Sequence, residues 1–551
     1  MGRGKMKKIL PVLFLIYPII IFSQGTYVPV DNDVYPFLSR MKTIGVNDNY
    51  YSESLPLTRN KVAELLLNIW DKRERLNSTD KSFLNYFLTE FGYEAFGSLE
   101  KYESLFTDSD FDFLSDREKY MLAYSKEKEF SIFVQSHLFF RRNLFKENNA
   151  IYNATLGEIG GRVYGSFIDA LGFEIDGRNG LLKGNKTAAL AEKDLKYNFK
   201  LFEKEESSFF DRAYGYIAYE HPNINVKIGS DRQIIGYGIN KLILGDNSPN
   251  FDYLSLRLNY KSFQFDYTHG WMLGKKYRST VIDRGYQITF EPKNFVHHRI
   301  SFSTFKNLRL GFGESVIYAN RIVDFAYINP FNFYKSTEHS LQDRDNTLLY
   351  LDAEYIPFSE VKLYSTFLID DVDFSKLGSG WFGNQFAYNI GADVVQPFET
   401  LPLHFGIEYI RIEPYTYTHR LIENNYSNYS YPLASELQPN SDRITFVIKI
   451  FPSPKVNFTA SASYQRHGKN YNENLNLINV GGELNFGRRT FDSETANFLD
   501  GNLERTMSFE FKGFYEFIRN VKLIGMCRFD QIKSDKPVNF LIFSIGLISF
   551  I

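Results

Sequence analysis

From about Phe130 to Ile551 apolar and polar side chains alternate with a period of two, and past the first 23 residues no run of about 18 apolar residues interrupts them. Leu254, Leu256, Leu258 and Tyr260 alternate with Tyr253, Ser255, Arg257 and Asn259. Ile444, Phe446, Ile448 and Ile450 do so with Arg443, Thr445, Val447 and Lys449, and Met507, Phe509 and Phe511 with Ser508, Glu510 and Lys512. Successive strand side chains point to opposite faces, so each segment has one apolar and one polar face. Two folds use such faces: a soluble sandwich, whose apolar faces meet in a core, and a closed barrel in a membrane.

Three features favour the barrel. Aromatic residues reach 17% of the chain and fall on the apolar faces, where girdles meet the two membrane interfaces. No composition break divides 130–551 into sandwich-sized domains, and the chain finishes in a strand pattern with Phe550 next to last. Strands of ~10 residues plus connections then number on the order of 16 to 18. Turns at Pro452-Ser453-Pro454 and Asn259 to Ser262 are short, whereas 178–211 and 411–442 are long, as for periplasmic turns and extracellular loops.

Residues 1–23 read as an export signal: Arg3, Lys5, Lys7 and Lys8 precede an apolar run from Ile9 to Phe22, with cleavage expected after Ser23. An uncleaved anchor is the other reading of that run. A formal charge of −2 excludes a nucleic-acid binder that works by neutralising phosphates, and Cys527, the one cysteine, excludes an internal disulfide framework.

Between Asp31 and about Tyr124 the period is helical. Val34, Phe37, Leu38 and Met41, then Val62, Leu65, Leu66 and Ile69, then Leu84, Phe87, Leu88 and Phe91 follow the i, i+3, i+4, i+7 spacing. Asp33, Thr58 and Thr79 stand where N-caps belong, and a further short helix is expected around Ser115 to Tyr124. The expected organisation is a signal at 1–23, a helical domain at 24–129 and an outer-membrane β-barrel at 130–551.

IGSDRQIIGYGINKLILGDNSPNFDYLSL (228–256), LRLGFGESVIYANRIVDFAYINPFNFYKSTEHSLQDRDN (308–346) and LYSTFLIDDVDF (363–374) resemble conserved blocks of the capsule assembly Wzi family. YVPVDNDVYPFLSRMKTIGV and LPLTRNKVAELL are similar to that family's N-terminal segment. At Ile234-Ile235 the chain departs from the family pattern, which often has a Trp-bearing dipeptide there. The resemblance implies a large outer-membrane β-barrel with a periplasmic helical bundle, a lectin that helps hold capsular or other surface polysaccharide on the cell.

A saccharide site needs planar carboxylate, amide and guanidinium groups for hydroxyls, and an aromatic face for the ring. Glu314, Arg321, His339, Asp343, Arg344, Asp345 and Asn346 crowd one block, with Asn329, Glu338, Tyr318, Tyr327 and Tyr334 beside them. They form either a ligand site or a self-neutralising ion-pair network in the lumen. Asp370 ends a strand whose alternate residues Leu363, Phe367 and Ile369 face lipid, which points Asp370 inward. Tyr415, Tyr417, Tyr426 and Tyr431 lie in the long 411–442 segment with Asn424, Asn425 and Asn428, a composition suited to polar ligands. His297-His298 fails as a chelating pair because neighbours on a strand face apart, and His467, after Ser461 and Ser463, has no placed acid partner for nucleophilic catalysis.

The expectation is a non-enzymatic, monomeric outer-membrane barrel without cofactor or metal, binding polysaccharide through lumenal polar groups and extracellular loops. Its partners are surface polysaccharide, membrane lipids and polysaccharide export machinery, and nucleic acid is not among them. A porin-like channel for a saccharide or other small solute is the alternative.

Overall fold

The period-two pattern closes on itself. In the computed structural model, which describes residues 25–126, 129–168, 170–189, 195, 199–200, 207–281, 285–396 and 402–551, the described residues form an antiparallel barrel of 18 strands. The predicted export signal lies outside the described residues. Each barrel strand pairs with the next in sequence, and Val538–Phe550 returns to pair with Phe130–Glu147. Closure satisfies the backbone polar groups that an open edge would leave bare in hydrocarbon. Along Val361–Asp371 the pattern is clean: Lys362, Tyr364, Thr366, Leu368 and Asp370 are buried inward, and Leu363 and Phe367 are exposed outward.

Connections 222–223, 261–262, 306–307, 359–360, 454–455 and 519–520 form a short-turn end. Connections 232–250, 320–345, 372–384, 413–440 and 470–501 lie at the opposite, long-loop end, with the short 148–149 and 534–537 among them. Strands Leu171–Gly184 and Ser207–His221 run well into the segment expected as a loop over 178–211, so that connection is shorter than its charged composition suggests.

At the short-turn end lie helices α1 (Val34–Thr43), α2 (Arg59–Trp70) and α3 (Ser78–Glu90). The three helical stripes are buried together and take in Phe451 of the wall. Thr58 caps α2 by accepting from Lys61 N (3.2 Å), as expected. Asp33 makes no side-chain cap, and α3 is capped by Asn77 rather than Thr79, because Asn77 holds the extended backbone and accepts from Asp80 N (2.7 Å). The helix expected around Ser115 to Tyr124 is absent. Glu118–Tyr120 pairs with Tyr102–Ser104 and Leu122–Lys126 pairs with the first barrel strand, which places Tyr120 against Tyr102, Phe133 and Tyr164.

Wall residues from all round the ring grip the bundle. Lys42 pairs with Glu354, Lys522 with Asp33 (2.9 Å) and Asn60 with Glu220 (2.8 Å), while Phe83 meets Phe451 edge-on at 6.2 Å. The helices therefore stopper the short-turn mouth.

Candidate functional site

Above the stopper, the chain crosses the lumen twice. Ser54–Leu55 pairs with Ile234–Ile235, so the dipeptide that departs from the family pattern is tied to the N-terminal segment. Beside it Glu53 accepts from Arg309 Nε (2.5 Å) and Arg299 NH1 (3.3 Å), and Arg299 forks onto Asp352 at 2.6 and 3.0 Å, with all these side chains nearly inaccessible. Burial opposes ionisation of Glu53, but the Arg309 and Arg299 guanidiniums prevail and hold it well below the usual carboxylate range.

Connection 232–250 reaches the far wall. Glu408 accepts from Ile239 N (2.6 Å), Asn240 N (2.8 Å), Asn240 Nδ2 (2.7 Å) and Tyr364 OH (3.1 Å). Gly238 makes the approach possible: its φ is +94°, and a Cβ there would lie 2.1 Å from Glu408 Oε2. Tyr417 and Tyr426 cover the segment from the long-loop side, donating to the carbonyls of Leu242 (2.8 Å) and Ile243 (3.0 Å). Burial lowers the Lys241 ammonium to about 8, against the opposing pull of Glu408. The unfolded chain holds this proton up to about pH 10.5, so stability rises between about pH 8 and pH 10.5, where only the unfolded form remains charged. Lys241→Met is expected to flatten that rise, read as thermal midpoints at pH 8 and pH 10.

Apart from Asn346, whose register partner Ile317 faces inward, the polar block does not line the lumen, which corrects the expectation of lumenal polar groups. Cross-strand partners share a face, and Glu314 pairs with His298 and Leu349, two residues along from the outward Ile300, Phe312 and Leu351. Glu314 thus faces out, and connection 320–345 folds down over it. Its carboxylate accepts from Tyr334 N (2.8 Å) and Lys335 N (3.1 Å) and meets His298 Nε2 at 2.9 Å. Tyr318, Tyr327 and Tyr334 are wholly buried in this contact and offer no ring face.

At the base of the same connection the charges come together. Arg321 donates to Asp324 (3.0 Å) and Asp345 (2.6 Å), Arg344 donates to Asp324 (3.1 Å), and Tyr327 OH donates to Asp345 (2.8 Å). Burial works against the Arg321 charge, but Asp345 and Asp324 raise its pKa overall. Asn346 donates to Asn424 O (3.0 Å) and so ties this base to the 413–440 connection. Arg344, His339 and Asp343 stay exposed. Glu338, His339 and Asp343 each bring a ligand atom within 4.8 Å of the others, the one such grouping among the described residues.

The tyrosines divide. Tyr415 and Tyr417 adopt positive φ of 62° and 70°, strained for such residues, and both are buried with Tyr426. Tyr415 OH donates to Asn479 O (3.0 Å), and Asp370, inward as expected, accepts from Tyr417 N (2.5 Å). These four residues are brought together as a clamp over the lumen, not as a stacking platform. Tyr431 remains half-exposed and lies parallel to Tyr429 at 6.5 Å. His467 Nε2 is 2.7 Å from Gly482 O, and His297 turns inward to Tyr350 OH (2.7 Å) while His298 turns outward.

Glu53, Glu408 and 232–250 carry the lumen's closure, and sequence reasoning missed them. Gly236 and Gly238 in an otherwise apolar stretch were the available signal.

A stoppered barrel of this size, with an outward apolar wall and charged long loops, defines the class of large outer-membrane β-barrels. The family model of the capsule assembly protein Wzi matches residues 124–519, and the chain belongs to that family. Among solved structures the chain is similar to Escherichia coli Wzi, described as an outer-membrane protein involved in group 1 capsule assembly and a carbohydrate-binding β-barrel. That match has 12% identity, covers 95% of this chain and 99% of that one, and has a TM-score of 0.55. Pseudomonas aeruginosa OprD matches at 11% identity over 76% of this chain and 95% of its own, with a TM-score of 0.40. No curated protein matches the chain.

Proposed function

We propose that this protein binds capsular or other surface polysaccharide at its long-loop face and helps retain it on the cell, without catalysing a reaction on it. One observation carries the reading: guanidinium, carboxylate and tyrosine groups reach solvent at the long-loop end of a barrel whose lumen is stoppered by helices and crossed by 232–250. Groups so placed can grip a polymer outside but cannot hand it through. Membership of the capsule assembly family and the carbohydrate-binding description of Escherichia coli Wzi support the same reading. In this orientation the short-turn end and its helices face the periplasm.

The residues proposed to touch the polymer are Arg344, His339, Asp343 and Tyr431, with Arg321, Asp324 and Asp345 holding Arg344 in place. The buried Tyr415, Tyr417, Tyr426 and Asp370 set the loop's shape. Arg344→Ala combined with Tyr431→Ala removes a charged donor from an exposed position and a ring from a half-exposed one. A charge-assisted hydrogen bond contributes about 1.5–3 kcal/mol, so affinity for polysaccharide purified from the parent cell is expected to fall at least about ten-fold. Calorimetric titration of the two proteins checks this, and equal affinities would contradict the site.

A further inference from the structure

The 320–345 connection covers the outside of the barrel instead of its mouth. Tyr267, His269, Val296, His298, Glu314, Val316 and Tyr318 share the outward face with the exposed Ile300, Leu351 and Phe367. Such polar groups would be costly on a bare wall in hydrocarbon. Connection 320–345 answers most of them. Tyr327 and Tyr334 seal the cluster of Tyr267, Val296, Val316 and Tyr318, Tyr267 OH donates to Tyr327 O (3.2 Å), and His298 Nδ1 lies 2.8 Å from Pro330 O. His269 Nε2 is 2.8 Å from Tyr318 OH within the wall itself.

The side turned away from the wall is apolar. Phe325 is 84% exposed, Ile322 75% and Phe331 70%, with Phe333 and Ile328 also exposed. This ridge is continuous with the lipid-facing wall, since Phe331 stacks on the outward Phe265 at 5.1 Å and 19°. Polar Asn329 and Asn332 stand among the apolar residues and bond within the connection, Asn329 Nδ2 to Asn332 Oδ1 (2.9 Å) and Asn332 Nδ2 to Ala326 O (2.8 Å). The ridge thus has the mixed character of the boundary between headgroups and acyl chains.

We infer that connection 320–345 is a membrane-contacting element whose ridge, Ile322, Phe325, Ile328, Phe331 and Phe333, sits among lipid acyl chains at the edge of the outer leaflet. Its occupant is lipid, because the ridge continues a surface that already faces lipid. The rim charges Arg321 and Arg344, at its base, are thereby held at the membrane surface. Lipid contact by this ridge is independent of polysaccharide binding.

The test uses the full chain in vesicles of phosphatidylethanolamine and phosphatidylglycerol. In a Cys527→Ala background, Phe325→Cys carries a nitroxide whose collisions with oxygen and with a water-soluble nickel chelate are compared. Leu351→Cys on the barrel wall gives the lipid reference, and Leu475→Cys, fully exposed at a loop tip, gives the water reference. Each position is exposed, so the substitutions leave packing intact. A ratio of oxygen to nickel collisions several-fold above that at 475 and close to that at 351 is expected. A ratio equal to that at 475 places the ridge in water, and a label closed to both reagents places it under protein; either overturns the inference.

Discussion

Replacing Glu53 with alanine is expected to loosen the helical stopper from the barrel wall at a cost of about 3–5 kcal/mol, the range for removing one partner from a buried ion cluster. Without this carboxylate, Arg309 keeps only neutral acceptors such as Gln264 and Ser301, and Arg299 keeps Asp352 alone. Two guanidiniums that are almost wholly inaccessible would then share one anion. Glu53→Gln retains an acceptor oxygen and is expected to lose less. The readout is limited proteolysis of the 25–126 region in detergent-solubilised protein, beside the denaturant midpoint of the whole chain. Unchanged cleavage and an unchanged midpoint would show that the bundle is held by its apolar contacts with Phe451 and its peripheral ion pairs.

The second large effect is electrical. Wild-type protein in a planar bilayer is expected to carry no steady current, because the bundle stoppers one mouth and 232–250 spans the lumen to Glu408. Glu53→Ala combined with Glu408→Ala removes one central anchor from each closure and is expected to produce discrete conductance steps. Glu408 gathers two backbone donors, the Asn240 side chain and the Tyr364 hydroxyl, so its loss releases the segment's tip from the far wall while Tyr417 and Tyr426 still hold Leu242 and Ile243. Steady current through the wild type would instead favour a solute channel, the function the same barrel would serve if its lumen were open.

Periodicity made the architecture legible. The helical stripes of Val34, Val62 and Leu84 all end in one buried cluster, and the alternation around Leu363 and Phe367 points Asp370 inward where its register puts it. These features are local, because a helix or strand face is written into consecutive residues. The segment 115–124 misled because its spacing is compatible with a helix while its pairing partner, Tyr102–Ser104, lies elsewhere in the chain.

The polar block shows a different limit. Glu314 shares its parity with Leu308, Leu310, Phe312, Val316 and Tyr318, so an outward direction was readable, yet a carboxylate facing lipid makes sense only once the covering connection is known. Tyr415, Tyr417 and Tyr426 carried no local sign of burial. Their rings are enclosed by 232–250 and by Asn479, contacts across separations of tens to hundreds of residues. Arg344 and Tyr431, by contrast, are at the surface, where the polarity of their neighbours suggested.

Central to the proposed function is retention of polysaccharide on the cell by the long-loop face. Its most direct measurement is the ratio of cell-bound to shed surface polysaccharide in the parent organism lacking this gene, complemented by either the wild-type chain or the Arg344→Ala, Tyr431→Ala chain. Retention is expected to fall without the gene, to return with the wild-type chain, and to stay low with the variant at equal membrane abundance. The same ratio in all these strains would contradict it.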